Sequence, residues 1–271
     1  MSDLYNLIFH PWHTFLWNYD MISDLIYNRQ YPPEGLNPFI AFYWALENPT
    51  DVDEDVTILP DGYFDIIYVS DKGKPFRPLL FGLATKQAHV VVKSRSLALA
   101  ISFKLPAAET VLDHGIAGFT DHFDVLEDSH WPGFLSFDLE FSTFCDHVNE
   151  KLSQWARPHN MDIIRILFES IYKSAGNKTV SELSLQSGWS TRKLNRYFQH
   201  YFGIPLKTYC NILRFRSSFN HLHLGELHPS AEFTDQSHFI REIKKYAGTT
   251  PGVLARNPGD RFIQFSTLPL N

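Results

Sequence analysis

The sequence predicts an α+β protein in which a β-rich front part precedes an all-helical C-terminal part. Short apolar runs separated by turn residues fill 38–104. Apolar residues then recur at helical spacing from 138 onward, with no comparable strand-like run before the C-terminal tail. Charge divides the same way: residues 1–157 hold 10 Lys and Arg against 22 Asp and Glu, whereas 158–256 hold 13 against 7. A chain of 271 residues can hold two domains, which we place at 1–157 and 158–256, followed by a tail at 257–271.

The front part begins with apolar residues at helical spacing, which predict a first helix over 13–28, ended by the prolines at 32 and 33. Six runs rich in β-branched and aromatic residues follow, at 39–46, 56–59, 63–69, 78–83, 88–93 and 97–103. The turn sequences PDG at 60–62 and DKGK at 71–74 lie between such runs. Strands at this spacing predict a small antiparallel barrel or sandwich with flanking helices.

Composition excludes several classes of protein. The two cysteines, Cys145 and Cys210, are too few for a disulfide framework or a cysteine-based zinc module. We find neither a signal peptide nor an apolar stretch of 18 residues, so we expect a cytoplasmic protein without membrane association. The histidines have no metal-ligand spacing, and no nucleotide-binding or hydrolase motif occurs. We therefore expect no cofactor, metal site or catalytic residues, and a protein that is not an enzyme.

Amphipathic helices are predicted over 138–155 and 160–175, on either side of Arg157–Pro158. The second has Ile163, Ile164, Leu167, Phe168 and Ile171 on its apolar side, and Gly176–Asn177 ends it.

A helix-turn-helix layout follows. Thr179 and Glu182 have capping-box spacing at the start of a short helix, whose Leu183 and Leu185 we expect to face inward. Gly188 ends that helix, and Ser190 caps the next one. On this second helix, one face carries Leu194, Tyr197, Phe198 and Tyr201, and the opposite face carries Arg192 and Arg196, flanked by Asn195 and Gln199.

The polar face suits the major groove of DNA. Arginine can bond guanine O6 and N7 with two donors, and asparagine can do the same to adenine. Thr191 and Lys193, near the helix N-terminus, are placed for phosphate. A solvated basic surface helix would show the same pattern, and that alternative stays open on this helix alone.

One long helix is predicted over 204–225, with Pro205 near its first turn. After it, the pattern of a capped helix with an apolar face occurs a second time. Asp235 can cap a helix as Ser190 does, and Phe239 and Ile243 face inward. The ending FQHYFG at 198–203 returns as IKKYAG at 243–248. A helix that is merely charged on its surface would not be expected to recur in this way, so the internal repeat favours a functional role.

Residues 160–255 resemble the AraC/XylS family of bacterial transcription regulators, most closely in GWSTRKLNRYFQHYFGIPLKTY and FTDQSHFIREIKKYAGTTP. The resemblance implies two helix-turn-helix units, joined by a linker helix, that place two recognition helices in successive major grooves. It assigns base reading to Arg192, Asn195, Arg196, Gln236, Ser237 and Arg241. The phosphate contacts fall on Ser190, Thr191, Lys193, Gln199, Lys244 and Lys245, while Arg214 and Ser218 occupy linker-helix positions. PDGYFDIIY at 60–68 resembles, more weakly, a sensor domain of some members.

The chain departs from the family between Leu222 and Phe233, where it is about five residues short of a whole positioning helix, and Pro229 would interrupt one. Either the second recognition helix is supported by another element, for which the tail at 261–268 is our candidate, or it contributes little to base reading; we expect the first.

Together these features predict a sequence-specific, effector-responsive regulator, monomeric or homodimeric, that binds double-stranded promoter DNA and RNA polymerase. In one alternative the front domain only dimerises or binds a protein partner. A more remote alternative is an enzyme with a DNA-docking module, for which the front part offers no spacing that selects a reaction.

Overall fold

The computed structural model describes residues 20–22, 24–69, 78–126, 140–155, 162–227 and 235–268. Within them the front part is built of antiparallel strands: β1 Asp20–Ile22, β2 Leu25–Gln30, β3 Ile40–Asn48, β4 Glu54–Ile58, β5 Phe64–Val69, β6 Pro78–Phe81, β7 Ala88–Val92, β8 Ser96–Phe103 and β9 Phe123–Val125. The six runs predicted as strands are confirmed as β3 to β8. The turn predicted at 71–74 lies outside the described residues.

The strands form two open sheets. The larger has the order β1-β2-β3-β8-β5-β6-β9, and β4 pairs with β7 in a second sheet of two strands. Across the described residues the larger sheet does not close on itself, so the α+β class is confirmed but a closed barrel is not. The end strands of this order, β1 and β9, are three residues long and do not pair with each other in the described residues.

The helix predicted over 13–28 is wrong where the structure describes it, because 20–22 and 25–30 are strands; residues 13–19 lie outside the described residues. Leu25 and Tyr27 are buried, whereas Ile26 and Asn28 are half-buried, which is the two-residue period of a strand. The short apolar pattern fits both periods, and pairing of β2 with β3 decides between them.

The helices are α1 Ala107–Thr110, α2 Phe141–Trp155, α3 Asp162–Lys173, α4 Val180–Ser187, α5 Thr191–Phe202, α6 Leu206–His223, α7 Gln236–Ala247, α8 Pro251–Arg256 and α9 Ile263–Ser266. The helices predicted over 138–155 and 160–175 are confirmed as α2 and α3; the boundary at 157–158 lies outside the described residues. Ile163 was expected to face inward but is 44% exposed: it lies in the first turn of α3, and the buried face begins one turn later, at Leu167. None of the described helices is long and apolar enough to cross a membrane.

One hydrophobic core runs through both parts of the chain. It begins in the central strands, with Tyr43, Phe64 and Phe103, and continues without a break into the helices. Phe144 of α2 contacts Tyr43 and Tyr68 edge to face, at ring distances of 6.5 and 5.7 Å. The Tyr43 hydroxyl also donates to Asn149 Oδ1 at 2.6 Å, so α2 is fixed to the sheet by packing and by a hydrogen bond.

Candidate nucleic-acid interface

The first helix-turn-helix unit is formed by local capping. Thr179 accepts a hydrogen bond from the Glu182 backbone N–H at 3.2 Å, and the Glu182 carboxylate accepts from the Thr179 N–H at 2.7 Å, which completes the predicted capping box. Gly188 ends α4 in the left-handed conformation at φ 68°. Ser190 then caps α5 by accepting from the Lys193 N–H at 3.2 Å, so α4, the turn and α5 form the predicted layout.

The inner face of α5 is aromatic and buried. Leu194, Phe198 and Phe202 are fully buried, and Phe168 of α3 contacts both phenylalanines at ring distances of 5.7 and 5.9 Å. In α4, Leu183 is buried as predicted, but Leu185 is 84% exposed. Residues two positions apart on a helix lie about 200° apart around its axis, so Leu183 and Leu185 cannot share one face.

The outer face of α5 is open to solvent. Thr191, Arg192, Lys193, Arg196 and Gln199 are exposed, and Asn195 is half-buried. Among the described residues Arg192 and Arg196 have no ion-pair partner, so both guanidinium groups are available to a ligand.

Two members of this face have structural partners as well. The Lys193 ammonium lies 3.8 Å from the centre of the Trp189 ring, a cation–π contact across the start of the helix. Gln199 Nε2 donates to the Gly203 carbonyl at 2.9 Å and so satisfies a carbonyl just beyond the helix end. Arg192 and Arg196 are therefore the freer side chains.

The second unit repeats the arrangement in α7. Asp235 caps it by accepting from the His238 N–H at 2.8 Å, and Gly248 ends it at φ 63°. Phe239, Ile243 and Tyr246 are buried. The predicted contact residues Gln236, Ser237, Arg241, Lys244 and Lys245 are all exposed.

The support of α7 differs from that of α5. The linker helix α6 ends at His223, residues 224–227 are not helical, and 228–234 lie outside the described residues. Helix α7 instead packs on α6, where Tyr246 contacts Phe215 at a ring distance of 5.1 Å. The tail packs on the same helix: Phe265 lies 5.7 Å from Phe219 and 5.6 Å from the His223 ring.

The two linker-helix positions have different environments. Ser218 is buried, and its hydroxyl donates to the Phe215 carbonyl at 2.6 Å. Arg214 is half-buried and donates to the Asn211 side-chain carbonyl.

The front part holds α5 from behind. The Ile116 N–H donates to the Tyr201 carbonyl at 2.6 Å, and Thr120 Oγ1 donates to the Phe202 carbonyl at 3.3 Å. The Tyr197 hydroxyl donates to the Glu109 carboxylate, and burial together with that carboxylate raises the pKa of Tyr197. These contacts lie on the side of α5 opposite its basic face. No sequence signal marked them, because each joins residues about 80 positions apart.

The linker helix meets the front part at a group of charged residues. The Arg216 guanidinium lies 4.4 Å from the centre of the Tyr63 ring and donates to the Asp61 carbonyl at 3.3 Å. Asp65 accepts from Ser102 Oγ. Burial, with a smaller contribution from Asp61, raises the pKa of Asp65 to about 7.

Comparison with known proteins gives two findings. Residues 28–123 match a family model described as a domain of unknown function, DUF6597, and no curated protein matches. Solved structures of ToxT from Vibrio cholerae are similar at low identity. One has a TM-score of 0.40 at 8% identity, covering 86% of this chain and 98% of that chain. An unsaturated-fatty-acid-bound form has 0.38 at 10%, covering 86% and 93%.

Proposed function

We propose that this protein is a sequence-specific transcription regulator of the AraC/XylS type that binds double-stranded DNA. One observation carries the proposal. Two capped helices of 12 residues each, α5 and α7, bury an aromatic and aliphatic face and expose an opposite face of arginine, lysine and amide side chains. Both pack against one connecting helix, α6, which suits a protein that contacts two successive grooves.

In this proposal the exposed side chains divide by their chemistry. Arg192, Arg196 and Arg241 can donate two hydrogen bonds to guanine, while Asn195 and Gln236 can read adenine and Ser237 either base. Ser190, Thr191, Lys193, Gln199, Lys244 and Lys245 contact phosphate and set the register of the protein on the duplex. Gln236 Nε2 donates to the Leu227 carbonyl at 3.1 Å, so reading a base requires it to exchange that bond.

Electrostatics support recognition by the helical part alone. Residues 158–256 have an excess of six positive charges, whereas the front part has an excess of twelve negative charges. An acidic front part is repelled by phosphate, so DNA is guided to the helices. Binding should weaken as salt rises, because bound lysines and arginines release counterions from the duplex.

The test is replacement of Arg196 by alanine. The probe is the duplex enriched from genomic fragments by the wild-type protein. We expect Arg196→Ala to lose about 1–3 kcal/mol of specific affinity, about 5- to 150-fold, with a smaller change for unrelated DNA. Arg165→Ala is the matched control, because Arg165 is also exposed on a helix but pairs with Glu169 at 2.9 Å. Unchanged binding by Arg196→Ala would remove the assignment.

The same probe tests the second unit. Arg241→Ala should relax specificity in one half of the site, whereas Arg196→Ala relaxes it in the other half. If footprints of both variants change in the same half, α7 does not read bases separately.

We further propose that the front part, 1–157, acts on the helical part, 158–256, in response to an effector or a partner protein such as RNA polymerase. The contacts of Glu109, Ile116 and Thr120 with the back of α5 support this, since a shift there would move the helix. Glu109→Gln should change DNA affinity although Glu109 lies on the side of α5 away from its basic face. Equal DNA affinity of Glu109→Gln and the wild type would show that the front part does not act on the helical part through this contact.

A further inference from the structure

Strand β7 has an open edge. It pairs with β4 through five residue pairs, from Glu54 with Val92 to Ile58 with Ala88. In the described part of the chain no strand pairs with its other edge. Four of its five residues are exposed, and Val90 and Val91, which point to opposite faces, are 36% and 45% exposed.

In the residues that the structure describes, this edge lacks the usual features that protect a strand against pairing. Residues 87–92, QAHVVV, contain no charged residue and no proline, and the register with β4 has no bulge. The strand is nevertheless held in place from behind. Val92 packs against a small buried cluster with Trp44 and Ile263, and His89 Nδ1 lies 3.3 Å from Thr57 Oγ1.

The direction of the free backbone groups follows from β4. The Thr57 N–H points away from β7, because it donates to the Arg261 carbonyl at 2.6 Å. Thr57 and His89 are therefore a non-hydrogen-bonded pair, and Val56 and Val90 form the hydrogen-bonded pair next to it. Val90 thus directs its backbone groups to β4, while His89 and Val91 direct theirs to the open edge.

We propose that β7 pairs antiparallel with β7 of a second copy of this chain, about a two-fold axis at Val90. His89 of each protomer then exchanges both backbone hydrogen bonds with Val91 of the other, and the two Val90 side chains meet. An uncharged edge can pair with itself without placing like charges opposite each other.

The backbone directions and the flanking residues both fit this register. With Val90 on the axis, Lys86 of one protomer lies opposite Ser94 of the other, whose N–H donates to Asp53 Oδ1 at 2.8 Å. A shift by one residue in either direction is excluded, because it would place residues whose backbone groups point to the open edge opposite residues whose backbone groups point to β4. The dimer thereby brings Lys86 towards the carboxylate of Asp53, whose Oδ2 also accepts from Lys93 Nζ at 2.8 Å within its own chain.

Dimerisation is a property additional to the proposed binding of DNA by a single chain, and it would also affect the position of α7. The Gln87 side chain occupies the space that a Cβ at Gly248 would need, so β7 begins beside the end of α7. Pairing at β7 would therefore place the two α7 helices at fixed positions about one axis.

The first test is the oligomeric state without DNA. In sedimentation velocity the wild-type protein should dimerise at tens of micromolar. Val90→Lys should weaken the dimer at least about tenfold, since it places two ammonium groups opposite each other. Leu185→Lys is the matched control, because Leu185 is 84% exposed but lies on α4, outside both sheets, and it should dimerise like wild type. A monomeric wild type, or a Val90→Lys protein that still dimerises, would overturn the proposal.

The second test is the register. Paired Val90 residues are expected about 4.5 Å apart at Cα, within disulfide range, so Val90→Cys should cross-link on oxidation. Val91→Cys should cross-link poorly, because Val91 faces His89 of the other protomer. The native Cys145 and Cys210 are buried and do not compete. Faster cross-linking of Val91→Cys would contradict the axis at Val90.

Discussion

The two capped helices α5 and α7 share their local design and differ in what holds them. Each has 12 residues, a side-chain cap and a glycine in the left-handed conformation at its end. Helix α5 has a capped partner helix, α4, and front-part backbone behind it. Helix α7 relies on α6 and α8, and the tail in turn packs on α6.

A capped helix of this kind therefore needs a buried face and a firm support, but not necessarily a preceding helix. Phe215 and Tyr246 provide the buried contact in the second unit.

The largest effect is expected for Phe265→Ala. Phe265 is 2% exposed, and its removal leaves a cavity against Phe219, so we expect a loss of about 3–5 kcal/mol in the free energy of unfolding. Amide exchange should rise in α7 before it rises in α5. Leu227→Ala, at a 40% exposed site, should stay within about 0.5 kcal/mol. Equal loss of protection in both helices would show that the tail does not support the second unit selectively.

The stability of the protein is expected to depend on pH through Asp65, which lies where α6 meets the front part. The folded protein keeps the Asp65 proton up to a pKa of about 7, whereas the unfolded chain releases it near the ordinary value of 3.8. Stability should therefore fall as pH rises from about 4 to 7 and level off above, by about 4 kcal/mol at most.

Asp65→Asn should flatten this dependence, because its amide oxygen can still accept from Ser102. The other groups that face Asp65 are Asp61, Trp44 and Arg216. Urea unfolding at pH 5 and pH 8 measures the effect. A wild type that is equally stable at both values would refute it.

The smallest effect is expected at the caps. Ser190→Ala should cost about 1 kcal/mol. Asp235→Ala should cost about 0.5 kcal/mol more, because the carboxylate also interacts with the helix dipole. Urea midpoints compare the two, and a larger loss for Ser190→Ala would reverse the expected order.

Features set by neighbouring residues could be predicted from the sequence. The caps at Thr179, Ser190 and Asp235 and the buried face of α5 follow from side-chain chemistry and helical period. Over 20–30 the pattern fitted two periods, and only pairing with β3 decided between helix and strand.

Contacts across the chain could not be predicted in this way. Tyr197 with Glu109 and Arg216 with Asp61 join residues 88 and 155 positions apart. Nothing local distinguishes these side chains from others of their type. The open edge of β7 likewise becomes visible only when its pairing with β4 is known.

The unbroken core has a practical consequence for anyone who would isolate the helical part. A fragment beginning at residue 158 would lose the contacts of Tyr209 with Gly62, at 3.1 Å, and of Tyr172 with the Leu105 N–H, at 3.2 Å. Aromatic surface now covered by the sheet would face water, and such fragments should aggregate on expression. Binding studies are therefore best made on the whole chain, with substitutions rather than truncations used to separate its parts.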